Sequence, residues 1–208
     1  MTSAVFLDAL GTLVALEPPW PRLAAALGVG EAEAERAFRA EMSYYRDHAH
    51  EGADPASLAA LRERCAELLS RELGRAVSVE QMMDAIRFRA FDDAEPALRE
   101  LRSRGLRLVC VSNWDISLPE VLERCGLAPL LDGVVTSAGV GARKPDPAIF
   151  TAALELAGCG ADEALHVGDT PDEDVAGAAA AGIRSLLIDR DGGGDVASLA
   201  EIGQHLQP

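Results

Sequence analysis

Short runs of consecutive apolar residues recur along the chain, each cut off by a polar residue. Ala4-Val5-Phe6-Leu7 ends at Asp8 and leads into Gly11-Thr12, and Leu106 to Val111 ends in Ser112-Asn113. Gly133 to Thr136, Ala164 to Val167 and Ile183 to Ile188 supply three more. Runs this short, without polar alternation, are what strands covered on both faces look like, so they predict a parallel sheet. Helical segments with clear punctuation lie between them. Pro96 to Arg104 is closed by Gly105, and Ser117 with Glu120 has the spacing of a capping box opening a helix that ends at Gly126. Asp146-Pro147 starts a helix through Ala157, closed by Gly158, and Asp172 to Ala181 ends at Gly182. Strand and helix in alternation predict an α/β fold, a Rossmann-like parallel sheet flanked by helices.

From about Pro18 to Phe91 the alternation stops. Glu17-Pro18-Pro19-Trp20-Pro21 reads as a stiff hinge, and only helical patterns follow it. These are Glu31 to His48, Pro55 to Leu73 behind an Asp54 N-cap, and Val79 to Arg89 behind a Ser78/Gln81 capping box. Phe38, Met42 and Tyr45 recur at helical spacing and read as core. The expected organisation is therefore a core of residues 1–14 and 92–208, with an all-helical module, residues 15–91, inserted after the first strand. Gly192-Gly193-Gly194 reads as a loop before a short terminal helix.

Composition narrows the setting. In 208 residues, 49% hydrophobic and only 4% aromatic, the core must be built from Ala, Leu, Val and Ile. A net charge of −15 argues against neutralising nucleic-acid phosphates or an anionic membrane, though one local cluster of cations suffices for a small anionic substrate. Cys65, Cys110, Cys125 and Cys159 are scattered without metal spacing, which fits a reducing cytoplasm. No basic residue precedes Arg22 and no apolar run reaches the ~18 residues of a membrane span, so a cytoplasmic protein is expected. Oligomeric state is not encoded in any pattern found.

The strand ends hold the unusual polar residues: Asp8 and Thr12, Ser112, Lys144 in the loop after the third strand, and Asp169 with Asp174. In an open parallel sheet the carboxyl ends of the strands line one crevice, where these groups would converge. A carboxylate nucleophile, a hydroxyl, an ammonium and an acidic pair able to hold a hard cation make a coherent phosphoryl-transfer site. Lys144 is the only lysine beside eighteen arginines, which marks a position needing a compact ammonium.

Four segments, Asp8-Ala9-Leu10-Gly11-Thr12-Leu13, Val111-Ser112-Asn113, Arg143-Lys144-Pro145-Asp146 and Gly168-Asp169-Thr170-Pro171-Asp172-Glu173-Asp174, resemble in order the four motifs of the haloacid dehalogenase-like (HAD) hydrolases. The helical insertion resembles the cap of subfamily IA. The resemblance implies that Asp8 attacks phosphorus and forms an aspartyl phosphate, that Thr12 orients it, and that Ser112 and Asn113 hold the phosphate. It implies that Lys144 sits between Asp8 and the phosphate. It further implies a Mg²⁺ ion held by Asp8, the Leu10 backbone carbonyl, Asp169 and Asp174, and a small phosphorylated metabolite as substrate. By the same resemblance Arg39, in the inserted helices, is a candidate clamp for a substrate anion.

One departure matters. The family's phosphatases carry a second aspartate two residues after the nucleophile, where this chain has Leu10. That group protonates the leaving alcohol and then activates water, a contribution typically worth ~10²–10⁴-fold. Three explanations compete: a metal-independent 2-haloacid dehalogenase, whose halide leaves without a proton; another acid, from Asp115, Asp47, His48, His50 or Glu51; or a weakly active binding or interaction protein. His48 and His50 do not share a helix face and make a poor metal pair. His166, inside a buried strand, reads as structural, and Trp114 as pocket lining or packing.

Overall fold

A computed structural model describes residues 1–206 of the chain. Strand β1 (Ala4–Leu7) is buried at every position and lies at the centre of a five-stranded parallel sheet. A short turn leads from it to β2 (Val14–Glu17), after which the chain leaves the sheet for α1 (Trp20–Leu27), α2 (Glu31–His48), α3 (Pro55–Glu72) and α4 (Val79–Ala85). It returns through β3 (Arg87–Ala90), which pairs antiparallel with β2 in a two-stranded ribbon of its own. The α/β alternation then runs α5 (Ala94–Ser103), β4 (Arg107–Ser112), α6 (Leu118–Arg124), β5 (Gly133–Thr136), α7 (Ser137–Val140), α8 (Pro147–Ala157), β6 (Ala164–Gly168), α9 (Ala176–Ala180) and β7 (Arg184–Leu187).

The sheet order is β5-β4-β1-β6-β7. Succession along the chain therefore reverses direction at β1, which has β4 on one side and β6 on the other. Leu7 aligns with Cys110 and with Val167, so the residues just beyond these three strands emerge side by side. That is the crevice at the carboxyl edge of an open parallel sheet. Val5, Leu7, Leu108, Cys110 and Leu165 pack under α5 and α6 on one face. Phe6, Val109 and Val111 pack under Ile149 and Phe150 of α8 on the other. A third apolar cluster, with Leu23, Phe38, Leu61, Leu69 and Met82, belongs to the four helices between the ribbon strands.

The helical stretch differs from its sequence pattern at both ends. The proline run does not act as a bare hinge: Pro19 precedes α1 and Pro21 occupies its first turn, where a missing N–H costs nothing. The expected helix through Arg89 stops at Ala85, because Arg87-Phe88-Arg89-Ala90 alternates between exposed and half-buried positions and pairs with β2. Two caps form as the spacing predicts. The Asp54 carboxylate accepts from the backbone N–H of Ala56 and Ser57, and Ser78 and Gln81 exchange bonds reciprocally. The Ser117/Glu120 pattern does not form its box: the Ser117 hydroxyl makes no cap bond. Near the C-terminus a short 3₁₀-helix, Leu199–Gln204, follows the glycine loop as the pattern predicts. Among the described residues no helix is long and apolar enough to cross a membrane.

Candidate active site

Asp8 leaves β1 with its backbone N–H donating to the Val167 carbonyl at 2.9 Å, which fixes it at the sheet edge. The residue is 5% exposed, and both hydrogen bonds its side chain receives fall on Oδ1: from Ser112 Oγ at 2.9 Å and from Lys144 Nζ at 2.6 Å. Lys144, 1% exposed, also donates to Asp174 Oδ1 at 2.6 Å. Asp174 in turn accepts from His166 Nε2 at 2.8 Å and, through Oδ2, from the Thr170 N–H at 3.0 Å. One buried ammonium thus bridges two buried carboxylates, and the whole assembly is drawn from the ends of β1 and β4, from β6 and the turn after it, and from the loop after α7.

The electrostatics follow from that geometry. Burial raises the Asp8 carboxyl above its usual range, and the Asp174 charge pushes the same way against Lys144 and Ser112. Asp174 is also desolvated, but Lys144 and His166 outweigh this and hold it well below the usual carboxylate range. Burial by itself would lower the Lys144 ammonium, yet Asp8 and Asp174 keep it well above its ordinary value. Asp169 keeps an edge open to solvent. Displacement of water by the surrounding protein, with the charges of Asp8 and Asp174 added, pushes its carboxyl to about 6.

Carboxylate oxygens of Asp8, Asp169 and Asp174 lie within 4.8 Å of one another. Three acids facing a single lysine leave unbalanced negative charge in a set of hard oxygen donors, which suits a small divalent cation such as Mg²⁺. Two glycines make the approach possible. A Cβ on Gly11, whose φ is 87°, would stand 2.1 Å from the Asp169 carboxylate, and one on Gly168 would stand 2.1 Å from that of Asp174. Gly11 also needs the left-handed backbone that favours glycine.

Not every expected residue takes its expected part. Thr12 is fully buried and its Oγ1 has no hydrogen-bond partner among the described residues, so the hydroxyl that reaches Asp8 is that of Ser112. Asn113 lines the cavity, but its amide is taken up in holding the Lys144 loop. Its Oδ1 accepts from Lys144 N at 2.7 Å, and its Nδ2 donates to Lys144 O and to Glu173. Arg39 does not face the crevice. Its side chain is 65% exposed, pairs with Glu35 one turn earlier and lies over the Trp20 ring. The Leu10 side chain lies in the cavity wall.

The crevice opens into a cavity of about 860 Å³ that extends from Asp8 up to α2, α3 and α4. Its wall is largely apolar, with Phe38, Met42, Met82, Ile86, Phe88 and Trp114 among its residues. Of the five suggested replacement acids only Asp115 reaches it, held by Tyr45 Oη at 2.8 Å and by Ser117 N at 2.6 Å. His48 stacks on Tyr44, Glu51 pairs with Arg64, and Asp47 lies 3.9 Å from Arg143. The sequence reading missed Glu41, which is 4% exposed in the same wall and pushed up to about 7 by burial. Its signal was present: Glu41 falls on the face of α2 that carries Phe38, Met42 and Tyr45, whereas Arg39 lies off it.

A model of the haloacid dehalogenase-like hydrolase family matches residues 2–182, and the chain belongs to that family. Haloacid dehalogenase-like hydrolase domain-containing protein 3 of Bos taurus is 43% identical over 101 residues, 49% of this chain and 40% of its own length. A phosphoserine phosphatase of Thermus thermophilus is 40% identical over 122 residues, 58% of this chain and 47% of its own. The matches thus span about half the length of these curated relatives. Among solved structures, a HAD phosphatase from Thermococcus onnurineus superposes with a TM-score of 0.70 at 25% identity, covering 98% of this chain and 97% of the other. L-2-haloacid dehalogenase from Xanthobacter autotrophicus superposes at 0.76 with 22% identity and 98% of each chain covered, a likeness of fold.

Proposed function

We propose that this hydrolase is a Mg²⁺-dependent phosphatase of a small phosphorylated metabolite, working through an aspartyl phosphate on Asp8. The observation that carries the reading is the acidic trio Asp8, Asp169 and Asp174 gathered around Lys144 at the sheet edge. Displacement of a halide requires no such cation site.

In this reading an Asp8 carboxylate oxygen attacks phosphorus, the bond from phosphorus to the leaving oxygen breaks, and the phosphoryl group passes to Asp8. Water then breaks the aspartyl-phosphate bond and restores the carboxylate. Lys144 holds Asp8 in place and offsets negative charge on both the carboxylate and the incoming phosphate. Ser112 keeps Asp8 oriented and faces the phosphate. Asp8, Asp169, Asp174 and the Leu10 carbonyl would hold Mg²⁺, which when bound supplies charge neutralisation at the transferred group. Residues 15–91 serve as a cap that keeps water from the reaction and shapes the pocket. With Leu10 in place of an acid, substrates whose leaving group needs no proton are favoured, acyl phosphates above alkyl esters. The four cysteines are free thiols, in keeping with a cytoplasmic location.

The test is a panel of alkyl phosphates, acyl phosphates and 2-haloacids, assayed with Mg²⁺ and with chelator on wild type and Asp8→Asn. Phosphate release that needs Mg²⁺ and disappears in Asp8→Asn is expected. Halide release in chelator would instead assign the chain to the dehalogenases.

A further inference from the structure

We propose that Glu41 selects the substrate, its carboxyl receiving a protonated amine at the end of the molecule remote from the phosphate. The inference rests on the phosphatase reading and deepens it, from a small phosphorylated metabolite to one that carries an amine at the end away from its phosphate.

Glu41 stands apart from the other buried acids of the cavity. Asp8 and Asp174 share Lys144, Asp115 accepts from Tyr45 and Ser117, and Glu173 accepts from Arg143 and Asn113. Glu41 is buried in α2 with the Cys65 thiol of α3 as its partner, and a thiol is a weak donor. Among the described residues no arginine, lysine or histidine lies within ion-pair distance of it, although Arg46 and Arg62 line the same cavity. A carboxylate removed from water without a cation is unfavourable, and a packing role in that wall would be served better by an apolar side chain.

What the position lacks is a cation, and the cavity admits one. Glu41 and Asp8 line a single space of about 860 Å³, and apolar side chains occupy much of the wall between the helices and the sheet edge. A ligand filling it would place phosphate at Lys144 and Ser112, its carbon body against Met42, Met82 and Ile86, and an ammonium on Glu41. The ammonium supplies the charge partner that the fold withholds, in surroundings dry enough for the pair to discriminate strongly.

The experiment compares matched phosphates of graded chain length, ω-amino against plain alkyl chains, each as the acyl phosphate and as the phosphate ester, on the Mg²⁺-loaded wild type, Glu41→Gln and Glu41→Leu. The wild type is expected to prefer the amine at least tenfold in kcat/KM at one chain length, mainly through KM, and both variants should lose that preference. Equal treatment of amine and alkyl at every length, or a preference that survives in the variants, would overturn the assignment. If the wild type turns over neither, calorimetric binding of the same pairs separates the two readings. An amine preference in binding that is lost in Glu41→Gln keeps Glu41 as the selector while removing the phosphatase reading, and no preference removes the selector. Glu41→Gln is nearly isosteric, so the comparison remains available should Glu41→Leu fail to fold.

Discussion

Lys144 carries one positive charge to a place where two buried carboxylates share it, 2.6 Å from each. Removing one member of such a group strands the others, so Lys144→Met should destabilise the fold by about 3–5 kcal/mol, read from urea unfolding in chelator. A loss below about 1 kcal/mol would mean that Asp8 and Asp174 are hydrated enough to stand alone. Glu41 gives a second residue-scale prediction, with the opposite pH dependence from a salt-bridged acid. Its carboxyl is raised from 4.5 to about 7 in the fold, facing Cys65, Tyr45 and, beyond Tyr45, Asp115. The native state then binds more protons than the unfolded chain between these values, so stability is lost as pH rises from about 4.5 to about 7. The shift corresponds to about 3 kcal/mol, and Glu41→Gln should flatten that part of the pH–stability curve. The same stretch of sequence shows what is legible and what is not. Asp8, Ser112, Lys144, Asp169 and Asp174 could be gathered from sequence because each stands at the end of an apolar strand or in the connection that follows one, and parallel topology brings these segments together. Arg39 and Glu41 could not be sorted by type alone. Two residues apart on a helix they point to different sides, and the stripe of Phe38, Met42 and Tyr45 decides which one faces the cavity.

At the scale of elements, one sequence pattern has two different outcomes. Ser78 and Ser117 each precede a helix and have Gln or Glu three residues later, yet only Ser78 donates and accepts the reciprocal bonds of a cap. Ser117 has helical backbone angles, and its N–H is already taken by Asp115. Ser78→Ala should therefore cost about 1 kcal/mol in thermal or urea unfolding, while Ser117→Ala should stay within about 0.5 kcal/mol of wild type. Equal losses would show that the hydroxyl of Ser117 caps in solution. Elsewhere the legibility of elements follows their burial. The three central strands β1, β4 and β6 are buried almost throughout and read as plain apolar runs, so their positions are evident. The β2–β3 ribbon was not, because its strands are half-exposed, four residues long and separated by the whole helical stretch. Arg87-Phe88-Arg89-Ala90 did carry the period-two signal, but Met82, Met83 and Ile86 at helical spacing run straight into it.

For the molecule as a whole, a net charge of −15 and a local knot of three carboxylates should respond to cations in two separable ways. Monovalent salt screens the general self-repulsion, so NaCl should raise the unfolding temperature modestly and without saturation at low concentration. Mg²⁺ bound at Asp8, Asp169 and Asp174 would add a saturable increment, since a ligand that binds only the folded state stabilises it by RT ln(1 + [L]/Kd), about 2.7 kcal/mol at a hundredfold excess over Kd. The two contributions part company at matched ionic strength, where MgCl₂ should exceed NaCl. Asp169 is the member to remove, because it is the exposed one and takes no part in the Lys144 bridge. Asp169→Asn should abolish the Mg²⁺ increment and keep the NaCl response, measured by thermal melts over a concentration series of each salt. Mg²⁺ acting no better than Na⁺ at equal ionic strength would mean that the three carboxylates do not make a cation site. The metal-dependent reading of the crevice would then fall with it, because Lys144 alone would be left to offset the charge of both Asp8 and an incoming phosphate.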